Sequence, residues 1–206
     1  VLWDVVRICR TSQDPWRQTA AISTLHNLLC FNSYEKVLTS GALELAIDLV
    51  SKPEGVTNEV KAACALLLDQ CCFDKVSKQV AVQAVELRPI IEILDKQTTA
   101  IYMDASSRSG DDAGGGEWRT GDPRSANNIR DHHDPHKLLI GNLLSFLWNA
   151  TDDLYYSDPA GWSRFTIRAC QPELLKVLNK ILVYGDDSER HAVGAILHNF
   201  SCNRSL

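Results

Sequence analysis

The stretch Asn142-Leu-Leu-Ser-Phe-Leu-Trp-Asn-Ala-Thr-Asp152 is the most informative part of the chain, because three variants of it occur elsewhere. In each variant one polar residue, here termed the anchor, takes the place of Asn149. Leucine stands two residues before every anchor, and an apolar side chain stands six residues before it. Residues four apart share one face of an α-helix, so each segment is predicted to be helical. The anchors are Asn27, Asp69, Asn149 and Asn199.

The spacing of the anchors predicts a repeated helical unit. Consecutive anchors lie 42, 80 and 50 residues apart, and a unit of about 42 residues accommodates two or three helices. Between the first two anchors the pattern predicts a short helix over 33–41 that stops at glycine, and a second helix over 42–50. No segment shows the alternation of a half-buried strand. The sequence therefore predicts an all-α fold.

The anchor segments, together with the break Thr39-Ser-Gly-Ala-Leu43, resemble the armadillo repeat family. The resemblance covers residues 1–98 and 136–206. HEAT repeats are the most similar alternative family. It implies a right-handed α-solenoid of about four repeats, the terminal ones incomplete, in a single domain spanning 1–206. A chain that starts and stops within the array implies a longer parent protein or a neighbouring subunit. The implied repeats are roughly 1–32, 33–74, 75–152 and 153–206.

Residues 98–135 interrupt the third repeat and are predicted to form one long loop, because they contain five glycines and few large apolar residues. His132-His-Asp-Pro-His136 at its end supports a remote alternative, a metal-dependent hydrolase. The sequence offers no second ligand cluster, no paired catalytic carboxylates and no Ser/His/Asp set. Asp134-Pro135 is more simply a helix start, so we predict no metal, no cofactor and no enzymatic activity.

The amino-acid composition further restricts the partners and the cellular location that we expect for the protein. The 206 residues are 45% hydrophobic, and 21 lysines and arginines against 26 acidic residues give a net charge of −5. That balance disfavours nucleic acid as a partner. No apolar run reaches the roughly 18–20 residues of a membrane span. Seven cysteines, an odd number without a Cys-x-x-Cys pair, favour reduced thiols in a cytoplasmic protein.

The armadillo resemblance also implies a function. The third helices of such solenoids line a concave groove, where an asparagine amide can hold the backbone of an extended peptide. We therefore expect a protein–protein interaction scaffold. Two readings stay open beside it: the anchors only cap helix ends, or the chain is a structural subunit of a large cytoskeletal or axonemal assembly. The predicted groove residues are His26, Asn27, Lys61, Asp69, Trp148, Asn149, His191, His198 and Asn199, and the possible secondary contacts are Trp118, Tyr155, Tyr156 and Trp162.

Overall fold

The computed structural model describes residues 2–31, 33–108, 134–152 and 165–202. Those residues form helices and contain no strand, so the all-α prediction is confirmed for this part of the chain. A short helical segment at 165–169 precedes the last two helices. The helices are α1 (Leu2–Thr11), α2 (Pro15–Cys30), α3 (Tyr34–Thr39), α4 (Ala42–Ser51), α5 (Asn58–Cys71), α6 (Lys75–Ala84), α7 (Leu87–Arg108), α8 (Pro135–Thr151), α9 (Pro172–Tyr184) and α10 (Asp187–Cys202).

Local sequence signals set several of these helix boundaries. Aspartate side chains cap the N-termini of α2, α6 and α8, where Asp14, Asp74 and Asp134 accept hydrogen bonds from backbone N–H groups of the first turn. Such a cap satisfies a donor that the helix itself leaves without a partner. Between α3 and α4 the chain turns at Gly41, whose φ of 75° favours a residue without a Cβ. The break predicted at this glycine is therefore present.

Eight of the ten described helices pack in two rows, while α3 and α6 contact each other and helices of both rows. One row, here termed the anchor row, has α2 in contact with α5, α5 with α8, and α8 with α10. In the second row α1 contacts α4, α4 contacts α7, and α7 contacts α9. Each anchor-row helix also packs against the second-row helix that precedes it in the sequence. As a consequence, α5 and α8 are direct neighbours, although their anchors are 80 residues apart in the sequence.

A single hydrophobic cluster runs through both rows. The leucines two residues before the anchors belong to it: Leu25, Leu67 and Leu147 are buried, and Leu197 packs against the cluster while half-buried. The repeated leucine is thus a core position, in agreement with the helical spacing that predicted it. Its burial fixes which face of each helix turns inward.

One predicted boundary is wrong, because α7 does not end where the loop was expected to begin. The loop was predicted from residue 98, yet the helix continues to Arg108. Thr98 is fully buried, and Tyr102 one turn later is only 8% exposed. The Tyr102 hydroxyl donates to Glu189 Oε2 of α10 at 2.7 Å. The packing of Ile101 and Tyr102 on the hydrophobic cluster and this hydrogen bond to α10 therefore stabilise the extension of α7.

Candidate functional site

The four anchors occupy equivalent places in the anchor row, in the last turns of α2, α5, α8 and α10. Their surroundings nevertheless differ. Asn27 is exposed, Asp69 is buried, and Asn149 and Asn199 are half-buried. The anchor position of the repeat is thus exposed in one helix and buried or half-buried in the others.

Asp69 is the centre of a hydrogen-bonded network between α5 and α8. Asn149 Nδ2 donates to Asp69 Oδ1 at 2.7 Å, and Ser145 Oγ donates to Oδ2 at 3.0 Å. Burial raises the pKa of the Asp69 carboxyl, while these two hydrogen bonds and the nearby His26 act in the opposite direction. The side chains of the second and third anchors, Asp69 and Asn149, are therefore hydrogen-bonded to each other.

The fourth anchor makes an analogous link from α10 to α8. Asn199 Nδ2 donates to the backbone carbonyl of Trp148 at 3.2 Å and to Thr151 Oγ1 at 3.1 Å. The amide oxygens of Asn149 and Asn199 accept no hydrogen bond from the described residues, and neither does the exposed Asn27 side chain. The amide donors of Asn149 and Asn199 are thus used between helices, whereas their amide oxygens have no partner among the described residues.

Two rings adjoin these amides. The indole of Trp148 and the imidazole of His191 meet edge to face, with ring centroids 5.5 Å apart. Trp148 is half-buried and His191 is exposed. His26 is half-buried next to Asn27, and His198 is exposed next to Asn199. The structure therefore brings neutral amides and aromatic rings together on the helices of the anchor row.

Lys61 lies apart from the other predicted groove residues, in the first turn of α5, whereas Asp69 is in the last. It is only 5% exposed, and its ammonium donates to the backbone carbonyl of Lys52. Its burial and the charge of Lys96 lower its pKa. Lys61 lines a cavity of about 560 Å³ between the α4–α5 connection and α7. The α4–α5 connection covers the Lys61 side chain, and the position of Lys61 in the helix could not reveal this.

The part of the histidine-rich stretch that the structure describes, from Asp134 onward, forms the start of α8. Asp134 Oδ1 accepts from the backbone N–H of His136 at 2.8 Å, so this residue caps the helix as the sequence indicated. The His136 ring contacts the Gln97 and Asn58 side chains of α7 and α5. The remaining histidines of the predicted metal cluster, 132 and 133, lie outside the described residues.

The sequence analysis missed two polar residues of α8 that face α5. Asn142 Nδ2 donates to the carbonyl of Ala62 at 2.9 Å, and Ser145 bonds Asp69 as described above. Together with Asn149 they form a polar stripe with spacings of three and four residues on an otherwise apolar helix. That spacing places the three side chains on one face and was the available signal.

The possible secondary contacts Trp118, Tyr155, Tyr156 and Trp162 lie outside the described residues. Among the described helices, none combines the length and apolarity that crossing a bilayer requires. Compared with known proteins, the chain matches no family model, no curated protein and no solved structure.

Proposed function

We propose that the chain is an armadillo-like α-solenoid that binds an extended peptide, or an extended segment of a partner protein, along its anchor row. The partner's backbone lies across the ends of α2, α5, α8 and α10. Main-chain hydrogen bonds to the anchor amides supply affinity, and the neighbouring rings select side chains. The chain acts as a scaffold and catalyses no reaction.

The observation that carries this proposal is the order of the row. Helices whose anchors are equivalent in sequence are also neighbours in space, in the same order. Such an arrangement presents the amides of Asn27, Asn149 and Asn199 in series, whereas Asp69 between them is buried. An extended peptide offers its own backbone groups at regular intervals, so a series of this kind is complementary to it.

The chemistry of the face supports a neutral partner backbone in preference to a charged ligand. Asn27 supplies an exposed amide with both donor and acceptor, and the oxygens of Asn149 and Asn199 supply acceptors for peptide N–H groups. Trp148 and His191 provide flat surfaces beside them. Aromatic side chains of this kind commonly contribute much of the energy at protein interfaces.

The state of the cysteines supports a cytoplasmic site of action. All seven cysteines are free thiols, and Cys30 and Cys202 among them are exposed. Exposed unpaired thiols are typical of proteins in reducing compartments.

Peptide selection followed by a matched pair of substitutions tests the proposal. A random linear-peptide library is panned against the chain, and the affinity of the best binder is measured by calorimetry. Asn27→Ala removes an exposed anchor amide, whereas Gln83→Ala removes an exposed amide from α6, outside the anchor row. We expect the first change to weaken binding about tenfold and the second to leave it unchanged.

Helicity of both variants, measured by circular dichroism, must equal that of the parent chain. A library that yields no binder contradicts the proposal. So does a selected peptide whose affinity responds to Gln83→Ala and not to Asn27→Ala. Alanine at Asn149 is a poorer test, because it would also leave Asp69 without its closest donor.

A second candidate function, subunit of a large assembly, is favoured by exposed aromatic side chains outside the anchors. Trp3, Trp16, Phe31 and Phe73 are 68%, 78%, 80% and 61% exposed. A partner that covers them would bury considerable apolar area. If Trp16→Ala releases a copurifying protein of fixed stoichiometry and Asn27→Ala does not, the assembly role replaces the peptide-binding role.

A further inference from the structure

Two histidine–cysteine pairs occupy equivalent places at the ends of the anchor row. His26 and Cys30 lie four residues apart on α2, and His198 and Cys202 lie four apart on α10. Residues at this spacing project from the same face of a helix. The imidazole Nε2 and thiol Sγ atoms are 3.9 Å apart in the first pair and 3.5 Å apart in the second.

These separations match the geometry of a tetrahedral metal ion. Zinc binds imidazole nitrogen at about 2.0 Å and thiolate sulfur at about 2.3 Å, which places two such ligands about 3.5 Å apart at a tetrahedral angle. The α10 pair has this separation, and the α2 pair needs only a small side-chain rotation to reach it. Both cysteines are exposed, so an ion can approach them from solvent.

The inner helices of the row show that the pairing does not follow from the register alone. At the same two positions α5 carries Leu68 and Cys72. The Cys72 thiol is buried, donates to the Leu68 carbonyl at 3.6 Å, and has a pKa that burial raises. In α8 the corresponding residues are Trp148 and Asp152. Only the outer helices of the row present imidazole and an accessible thiol together.

We propose that each pair is a binding site for one Zn²⁺ ion, with imidazole and thiolate as its two protein ligands. No third histidine, cysteine or carboxylate of the described residues joins either pair, so water completes the coordination in the isolated chain. Thiolate and imidazole favour zinc over Mg²⁺ and Ca²⁺, which prefer oxygen ligands. The ligands His26 and His198 directly precede the anchors Asn27 and Asn199, but metal binding is measured without peptide, so its success or failure is separate from that of the proposed peptide binding.

Cobalt substitution tests the proposal, because Co²⁺ reports thiolate ligation through a near-ultraviolet charge-transfer band. The reduced chain is titrated with Co²⁺ and the ions are then displaced with Zn²⁺. We expect two ions per chain, one in Cys30→Ser, one in Cys202→Ser, and loss of the band in the double variant. Cys170→Ser removes a partly exposed thiol that is not part of either pair and should keep both ions.

Thermal unfolding supplies a second readout that does not depend on spectra. Ions that bind the folded chain raise its melting temperature, so Zn²⁺ should stabilise the parent chain and the Cys170→Ser variant but not the double variant. Circular dichroism without metal verifies that the double variant is folded. The proposal is overturned if the parent chain shows no charge-transfer band, or if the double variant keeps it. Loss of the band in Cys170→Ser would likewise assign the metal to another thiol.

Discussion

The junction between α2 and α5 differs sharply from the junction between α5 and α8, although both join neighbours of the anchor row. No side-chain hydrogen bond links α2 to α5 among their described residues. Across α5 and α8, by contrast, Asn142, Ser145 and Asn149 all donate to α5. The α2–α5 junction thus relies on apolar contacts, whereas the α5–α8 junction also contains the hydrogen bonds of the polar stripe of α8.

The difference follows the lengths of chain between the helices. Anchors Asn27 and Asp69 are 42 residues apart, whereas Asp69 and Asn149 are 80 apart. A short connection restricts where the next helix can pack, and a long one restricts it less, at only a small additional entropic cost. We infer that directional hydrogen bonds to Asp69 set the register of α8 on α5 where the connection cannot. Four predictions test this inference, from the largest effect to the smallest.

Removal of the Asp69 carboxylate should have the largest effect. Asp69→Ala leaves the Asn149 amide and the Ser145 hydroxyl without their acceptor inside the α5–α8 junction. Donors left unsatisfied in this way cost about 1–3 kcal/mol each, so we expect the free energy of unfolding to fall by about 2–4 kcal/mol. Urea denaturation monitored by circular dichroism measures it. A loss below the error of the fit would contradict a role for this network in stability.

Removal of the partner amide should have a smaller effect. In Asn149→Ala the buried carboxylate keeps only the Ser145 hydroxyl as a side-chain donor. We expect a loss of about 1–3 kcal/mol in unfolding free energy. The double variant Asp69→Ala/Asn149→Ala completes a mutant cycle, and a clear coupling energy is expected from residues in direct contact. Additive losses would mean that the two side chains act separately.

The third prediction concerns pH. Burial raises the pKa of Asp69 in the folded chain, so its carboxyl stabilises the fold below the ordinary aspartate pKa and loses that contribution as pH rises through the raised value. Asp69→Asn keeps an acceptor for Asn149 and does not ionise. Relative to the parent chain, this variant should therefore gain stability as pH rises from the ordinary aspartate pKa of about 3.9 through the raised value. A stability difference that is constant with pH would exclude ionisation of Asp69 as the cause.

The smallest effect on stability is expected at the first anchor. Asn27 is exposed and its side chain contacts no described hydrogen-bonding partner. Asn27→Ala should change the unfolding free energy by less than about 0.5 kcal/mol, even though we expect the same change to weaken peptide binding. Thermal melts of this variant and of Asn199→Ala provide the comparison, since the Asn199 amide bonds two groups near the end of α8. Equal losses at both positions would remove the distinction between exposed and interhelical anchors.

Local signals were sufficient to predict most of the helices. The repeated leucine, Gly41 and the helix-capping Asp134 each act within a few residues of the chain, so the sequence alone reveals them. The end of α7 was different, because residues that extend it, among them Thr99 and Tyr102, bond to partners that lie far away in the sequence. Thr99, for example, accepts a hydrogen bond from Lys180 of α9 at 2.8 Å.

The candidate site was predictable in position but not in the use of its residues. The armadillo resemblance placed the four anchors in one row, whereas neither it nor the helical register could show that Asp69 turns toward Asn149 and that Asn27 turns toward solvent. Lys61 shares the register of His191 but is covered by the connection between α4 and α5. Which polar groups remain accessible depends on packing between repeats, and periodicity carries no information about it.

Side-chain NMR of the peptide-bound chain tests the central claim most directly. The selected peptide is titrated into isotope-labelled protein while the side-chain amide signals of Asn27, Asn149 and Asn199 and the indole N–H of Trp148 are followed. We expect these signals to shift together and to saturate at one peptide per chain, whereas the Gln83 amide signal stays in place. If the anchor signals remain unchanged while the peptide binds, the anchor row is not the binding site and the proposed function is wrong.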